Sequence, residues 1–146
     1  MSGRFQVIVC FLIERDRQVL LLKRTMSKDE APGQWETGSG RVEQGESAIQ
    51  AVVREAREET GLDVEVLEPL DTFHFYRGRM REETIAITFH CRASGGCVVL
   101  SSEHDEAKWV PLEHLNKLDA LPAWVHRSLQ LFLRRRASGD TRDYPL

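Results

Sequence analysis

The alternation of apolar and polar residues along the chain predicts short strands interrupted by amphipathic helices. The strand-like segments are rich in β-branched and aromatic residues and are separated by charged or glycine-containing turns. They cover residues 5–14, 18–24, 64–67, 72–76, 84–92, 97–100 and 107–110. Gly95 and Gly96 predict a turn before the segment at 97–100. Residues 27–40 are predicted to form a loop, because they hold Pro32 and several glycines.

Helical periodicity appears twice in the chain, with a shorter helix between. Residues 47–60 form the first helix, with Ser47 as its N-cap and Gly61 as its stop. Apolar residues recur at helical spacing over residues 123–136, which predicts a longer helix, and residues 112–118 are predicted to form a short helix. Strands interleaved with helices predict one α/β domain over residues 1–136, with a central mixed sheet and helices on both faces. The polar tail, 137–146, is predicted to fray.

The composition is that of an ordinary globular domain. A length of 146 residues, 41% hydrophobic content and a formal net charge of −3 exclude a disordered chain and argue against a basic nucleic-acid-binding domain. The longest apolar run is far shorter than the ~20 residues of a membrane helix, so no membrane partner is predicted. Three cysteines without a CxxC pair predict buried or inert thiols in a reducing compartment, hence a cytoplasmic protein.

The candidate chemistry lies near the end of the first helix. At about 100° per residue, Glu55, Glu58 and Glu59 share one helix face. Like charges at these spacings each destabilise a helix by roughly 0.2–0.5 kcal/mol, and the helix dipole disfavours acids in the last turn. A hard divalent cation would remove the conflict, because it binds several carboxylate oxygens. The alternative is a solvated face on which Arg54 and Arg57 offset the acids.

The residues around this cluster resemble the Nudix box, the signature of the Nudix hydrolases. Gly40 is followed after five residues by Glu46, and after seven more by residues 54–62. Residues 40–62 thus match every defined position of G-x5-E-x7-R-E-U-x-E-E-x-G-U, where U is aliphatic or small. The resemblance is MutT-like and extends over residues 4–136. It implies an α/β/α sandwich and hydrolysis of a phosphoanhydride bond in a nucleoside diphosphate-linked or nucleoside triphosphate-type substrate.

The resemblance also implies a metal site. The box carboxylates would bind Mg²⁺ or Mn²⁺ through Glu55, Glu58 and Glu59. The backbone carbonyl of Ser39 would join them, although many family members have Pro-Gly-Gly where this chain has Gly-Ser-Gly. That loop is more similar to the one in dihydroneopterin triphosphate pyrophosphatases. Arg54 would hold the acid cluster, Glu46 would orient Arg54, and Glu55 or Glu58 could serve as general base.

Three further residues are candidates outside the box. Glu103 lies six residues before Trp109, a spacing that resembles the loop glutamate of MutT-like enzymes. It is either a metal ligand or general base, or a solvated loop acid. His104 is predicted to be an exposed bystander. Arg24, at the end of the second strand, is either a ligand of a substrate phosphate or a solvated strand-end arginine.

Substrate and partners stay open at this point. Phe73 and Phe75 share a strand face and would either stack on a base or pack in the core, and Trp35 is expected to pack its loop. Pterin or nucleoside triphosphates are the leading substrates, with ADP-ribose or another nucleotide sugar as the alternative. A non-catalytic nucleotide-binding module is the rival from another class. A homodimer is compatible with the predicted architecture.

Overall fold

The fold is described from a computed structural model that covers residues 3–27 and 31–139. Within these ranges the chain forms strands, two α-helices and one 3-10 helix in the order β1 (Gln6–Arg15), β2 (Gln18–Arg24), β3 (Trp35–Glu36), β4 (Ser39–Arg41), α1 (Ala48–Thr60), β5 (Leu62–Arg77), β6 (Glu82–Gly96), β7 (His104–Pro111), the 3-10 helix (Leu112–Lys117) and α2 (Ala123–Ser138). No helix in this part of the chain is long and apolar enough to cross a membrane.

The strands form one mixed sheet, as predicted. Its hydrogen-bonded order is β3-β2-β1-β6-β5, with β4 paired to β1 and β7 paired to β2. β1 and β6 run parallel, whereas the other described pairs are antiparallel. β1 and β2 form the expected hairpin, with Glu14 opposite Val19.

The sheet is sandwiched between the two α-helices because the side chains of β1 alternate between two buried clusters. Val9, Phe11 and Ile13 pack on the α1 side, whereas Leu12 packs on the α2 side. α1 contributes Ala51, Val52 and Ala56. α2 contributes Val125, Leu129 and Phe132. The predicted α/β/α architecture is confirmed.

The ends of α1 are fixed by the residues that the sequence singled out. Ser47 Oγ accepts a hydrogen bond from the backbone N–H of Gln50 at 3.1 Å, and Gln50 Oε1 accepts from the N–H of Ser47 at 2.9 Å. This reciprocal pair is a capping box. Gly61 ends the helix with φ 76°, a left-handed conformation that favours glycine. The end of α1, which carries the acids, is therefore well defined.

Several predicted boundaries are wrong. Residues 97–100 form no strand, and Gly95 and Gly96 are the paired end of β6 rather than a turn. Gly96 has φ +87°, and a Cβ on it would lie 2.6 Å from the Gly61 carbonyl oxygen. Glycine therefore allows the end of β6 to approach the backbone at the end of α1 closely. The predicted loop at 27–40 contains β3 and the start of β4.

Three other predictions need smaller corrections. The two strands predicted at 64–67 and 72–76 are one strand, β5, whose pairing is irregular around Pro69. α2 runs two residues past Arg136, and the rest of the predicted tail, 140–146, lies outside the described residues. Cys10 and Cys91 are buried, which raises the pKa of both thiols, whereas Cys97 is exposed.

Candidate functional site

A cavity of about 650 Å³ lies beside β1, between the C-terminal half of α1 and the beginning of α2. One end is defined by charged side chains that interact with one another, those of Arg24, Glu36, Glu55, Glu59 and Glu103. Arg41, Glu43 and Arg77 add further charge to the lining. The other end is lined mainly by apolar and aromatic side chains, among them Ile8, Phe73, Phe75 and Trp124. The cavity therefore offers a place for charged groups and a place for a flat apolar ring.

Two of the three box acids reach the cavity. Glu55 and Glu59 lie one helical turn apart and both line it. Glu59 is only 4% exposed, and its Oε2 accepts a hydrogen bond from the backbone N–H of Ser39 at 3.3 Å. Glu58 is not among the lining residues, and its side chain is 58% exposed. The predicted common face is therefore split between the cavity and its rim.

Arg54 connects the box acids to the loop before α1. Its Nε donates to Glu46 Oε2 at 2.7 Å, and its Nη2 donates to Glu46 Oε1 at 2.9 Å. Its Nη1 donates to Glu55 Oε1 at 2.7 Å and to Glu58 Oε2 at 3.3 Å. The Arg54 hydrogen bonds lower the pKa of Glu46 to about 2. The structure thus places Arg54 between Glu46 and the acid cluster.

Glu103 joins the helix acids from the segment before β7. It lines the cavity close enough to Glu59 to raise the pKa of that carboxyl group. Burial, followed by the negative charges of Glu36, Glu103 and Glu55, raises the pKa of Glu59 well above its usual range. Burial also raises the pKa of Glu55, although Arg54 opposes the shift. Crowded carboxylates that favour protonation are the electrostatic environment that a cation would relieve.

These residues fit a hard divalent cation in their chemistry. Their side-chain donors are carboxylate oxygens, the ligands that Mg²⁺ and Mn²⁺ prefer. A Cβ at Gly40 would lie 2.1 Å from Glu55 Cδ, so the chain leaves room for that carboxylate only with glycine there. Across residues 3–27 and 31–139, no group of three or more His, Cys, Asp or Glu side chains is already arranged to hold a metal ion. A cation would have to draw the carboxylates together.

Glu36 lines the cavity and was missed by the sequence analysis, and His104 lies directly behind it. His104 is buried and its Nε2 lies 2.7 Å from Glu36 Oε1, so the prediction that it is exposed is wrong. The reason is an irregularity in the pairing of β7 with β2: Lys23 lies opposite Glu106 but Arg24 lies opposite His104, so the simple alternation of β7 does not extend to His104. Glu36 gave no signal, since it belongs to a two-residue strand that periodicity cannot detect. Arg24 Nη1 contacts both Glu36 oxygens at 3.3 Å.

The aromatic end of the cavity is built from β5 and α2. Phe73 and Phe75 share a face as predicted, with ring centroids 5.6 Å apart, and Phe73 stacks on Trp124 at 6.3 Å. These rings pack against Ile8 and Cys10 and also line the cavity. Core packing and a surface for a ligand ring are therefore combined. Trp35 instead packs with the α2-side cluster.

Comparisons with known proteins identify a family and several relatives. A family model described as NUDIX domain matches residues 3–132. Nucleoside triphosphatase NudI from Enterobacter sp. (strain 638) is 31% identical over 129 residues, which cover 80% of this chain and 89% of NudI. The MutT protein from Methanosarcina mazei Go1 has a similar structure, with a TM-score of 0.70, 30% identity, and coverage of 96% of this chain and 99% of that one.

A second kind of relative is longer than this chain. NAD-capped RNA hydrolase NudC from Stutzerimonas stutzeri (strain A1501) is 32% identical over 126 residues, which cover 86% of this chain. The matched part is 43% of NudC, so the chain spans less than half of that relative's length.

Proposed function

The chain belongs to the Nudix family of MutT-like pyrophosphohydrolases, and from this premise we propose that it hydrolyses a phosphoanhydride bond of a nucleotide with the help of a divalent cation. The observation that carries the proposal is the meeting of Glu55, Glu59 and Glu103 at one end of a cavity whose other end is aromatic. The first two come from the box helix and the third from a segment far along the chain. A carboxylate cluster and a ring-sized apolar wall together suit a phosphate chain attached to a base.

Mg²⁺ or Mn²⁺ is the proposed cation. Glu55, Glu59 and Glu103 would hold it, together with the backbone carbonyl of Ser39, and Glu58 stays a predicted ligand at the rim. When bound, the cation would neutralise charge on the phosphate oxygens and make water easier to deprotonate. The family generally needs a divalent metal, and the raised pKa of Glu59 supports a role for one here.

The chain's own residues would complete the reaction. Arg54 holds one oxygen of Glu55 and so fixes the direction of that carboxylate. Arg24 is proposed to bind a phosphate oxygen, because its side chain lines the cavity near the carboxylates. Glu55 and Glu103 are the stronger candidates for the general base, since both line the cavity, whereas Glu58 lies outside the lining.

The proposed substrate is a small nucleoside triphosphate-type molecule. Phe73 and Trp124 present stacked rings to the cavity, and a base or pterin ring fits such a surface. The match to NudI covers most of both chains, which also supports this class. Nucleoside diphosphate-linked substrates such as ADP-ribose are the alternative, and the likeness to NudC makes capped RNA worth including as a probe.

The direct test is a hydrolysis screen of the purified protein. Nucleoside triphosphates, pterin triphosphate, ADP-ribose, NAD and NAD-capped RNA are each incubated with Mg²⁺, Mn²⁺ or EDTA, and the released phosphate, pyrophosphate and nucleotide are identified. We expect metal-dependent cleavage of at least one triphosphate. Glu59→Gln serves as the inactive variant and Glu65→Gln, on the exposed face of β5, as the matched control.

Two outcomes would change the proposal. Activity that persists in EDTA would contradict the metal assignment. Binding without cleavage, measured by calorimetry across the panel, would favour the non-catalytic nucleotide-binding module. A cytoplasmic location and a homodimer also stay predictions, and cell fractionation and light scattering test them.

A further inference from the structure

A buried line of polar contacts lies behind the charged end of the cavity. It runs from Arg24 through Glu36 to His104. The side chains of His104 and Glu36 are 0% and 5% exposed, and that of Arg24 is 15% exposed. Arg24 and Glu36 line the cavity, whereas His104 does not.

The three side chains come from three neighbouring strands. Arg24 ends β2, Glu36 ends β3 and His104 begins β7. Arg24 is paired with His104 across an irregularity in the β2–β7 ladder. The next residue, Thr25, donates its backbone N–H to the carbonyl of Glu103 at 3.1 Å. The contacts therefore join the strand end that presents Arg24 to the segment that presents Glu103.

The two contacts of Glu36 differ in strength. Arg24 Nη1 is shared between both carboxylate oxygens at 3.3 Å, which is long for a charge-assisted hydrogen bond. His104 Nε2 lies at 2.7 Å, which is short. The shorter contact constrains the carboxylate more, so His104 restrains Glu36, and Glu36 in turn contacts the Arg24 guanidinium.

This order of dependence matters for an arginine that meets a ligand. Arg24 has a long side chain with many rotamers, and holding it in one of them before binding lowers the entropy cost of binding an anion. Glu36 is also the charged neighbour with the largest influence on Glu59. The Arg24 guanidinium therefore offsets a negative charge that lies close to the acid cluster.

We propose that His104 is a positioning residue that, through Glu36, holds the guanidinium of Arg24 in place for a substrate phosphate. The proposal rests on the proposed function only in assigning a phosphate to Arg24. It concerns affinity for the phosphate group and leaves the chemical step to the carboxylates.

The test compares His104→Gln with His104→Asn, both amides of similar polarity. The Gln amide reaches the position of Nε2 and can donate to Glu36, whereas the Asn amide is too short. The probe is inorganic pyrophosphate in the presence of Mg²⁺, with the dissociation constant measured by calorimetry. We expect His104→Asn to weaken binding roughly tenfold, and His104→Gln to stay within about threefold of the unmodified protein.

A double-mutant cycle separates positioning from general damage to the fold. Arg24→Ala alone should weaken pyrophosphate binding at least as much as His104→Asn. Combining the two should add little, because both act through the same guanidinium. For the best substrate of the screen, His104→Asn should raise KM roughly tenfold and change kcat less than about threefold. Thermal melting of each variant checks that it is folded.

The proposal is overturned if the effects of Arg24→Ala and His104→Asn on the dissociation constant multiply in the double variant. It is also overturned if His104→Gln binds pyrophosphate as weakly as His104→Asn, or if the unmodified protein does not bind pyrophosphate. Should His104→Asn fail to fold, Arg24→Ala with undiminished affinity, or His104→Gln as weak as Arg24→Ala, would overturn it equally. If the protein binds pyrophosphate but cleaves no nucleotide, the proposed function is contradicted. The role of His104 is then decided by the pyrophosphate affinities of the double-mutant cycle alone.

Discussion

Carboxylates have opposite surroundings in two regions of the molecule, namely the interface between α2 and the sheet, and the cavity. On the α2 side, acids of β1 and β5 each meet an arginine of the helix. The nearest contacts are 2.7 Å for Arg136 with Glu14, 2.7 Å for Arg135 with Glu68 and 2.8 Å for Arg127 with Asp71. At the cavity, by contrast, Glu59 lies among Glu36, Glu55 and Glu103.

The direction of the pKa shifts follows this difference. Burial would raise the pKa of Glu14, but the hydrogen bond from His90 and the charge of Arg136 lower it. Burial and neighbouring acids raise the pKa of Glu59. Acids that are paired with arginines hold α2 on the sheet, whereas crowded acids destabilise the fold and are tolerated where a function requires them.

Removing the crowded charge should have the largest effect of all. Glu59→Gln is expected to lower kcat/KM by about 10²–10³-fold, because it removes a carboxylate from the proposed cation site. In EDTA it should also raise the free energy of unfolding, by about 1 kcal/mol, because repulsion is relieved. Kinetics and urea denaturation measure the two effects. A variant that is both fully active and less stable would contradict the assignment of Glu59.

Filling the space beside Glu55 should have the next largest effect. Gly40→Ala would place a Cβ 2.1 Å from Glu55 Cδ and displace the carboxylate. We expect kcat/KM to fall at least about tenfold. Gly95→Ala is the control, since its Cβ would meet only Asp63 Oδ2 at 3.7 Å. Equal kinetics for the two variants would show that the position of Glu55 is not critical.

The pH dependence of stability should have opposite signs at the two sites. Without metal, the raised pKa of Glu59 means that its contribution to folding stability is most favourable below about pH 4.5. This contribution is lost as the pH rises through the pKa of Glu59 in the folded protein. The lowered pKa of Glu14 gives stability above about 4.5 that is lost as pH falls through its folded value.

Urea denaturation in EDTA, from about pH 2 to about pH 8, measures both signs. The stability gain of Glu59→Gln should grow as pH rises, whereas the deficit of Glu14→Gln should shrink as pH falls. Parallel pH profiles for the two variants and the unmodified protein would contradict the assigned shifts.

The smallest effect is expected from the paired side. Glu14→Gln should cost about 1 kcal/mol of stability, because it removes the charge that meets Arg136 and His90, and should leave kcat/KM unchanged. Glu65→Gln, in an exposed pair with Arg92, should change stability by less than about 0.5 kcal/mol. A large loss of activity in Glu14→Gln would show that the two sides are coupled.

Much of the fold was predictable because local patterns suffice for it. The capping residues Ser47 and Gly61 fix both ends of α1, and the alternation in β1 is visible in the sequence. The strand predicted at 97–100 failed because pairing, not propensity, ends β6 at Gly96. β3 and β4 were missed because strands of two and three residues carry no period.

The sequence by itself determined that the chain is a Nudix domain, that α1 ends in an acid cluster and that Arg54 lies beside it, because these depend on spacing within one short segment, residues 40–62. Only the tertiary structure decided which acids share a cavity. It brought Glu103 to Glu59, turned Glu58 to the rim, and buried Glu36 against His104. The physical reason is that strand pairing brings together residues distant in the chain, and burial and repulsion act on the groups that meet there.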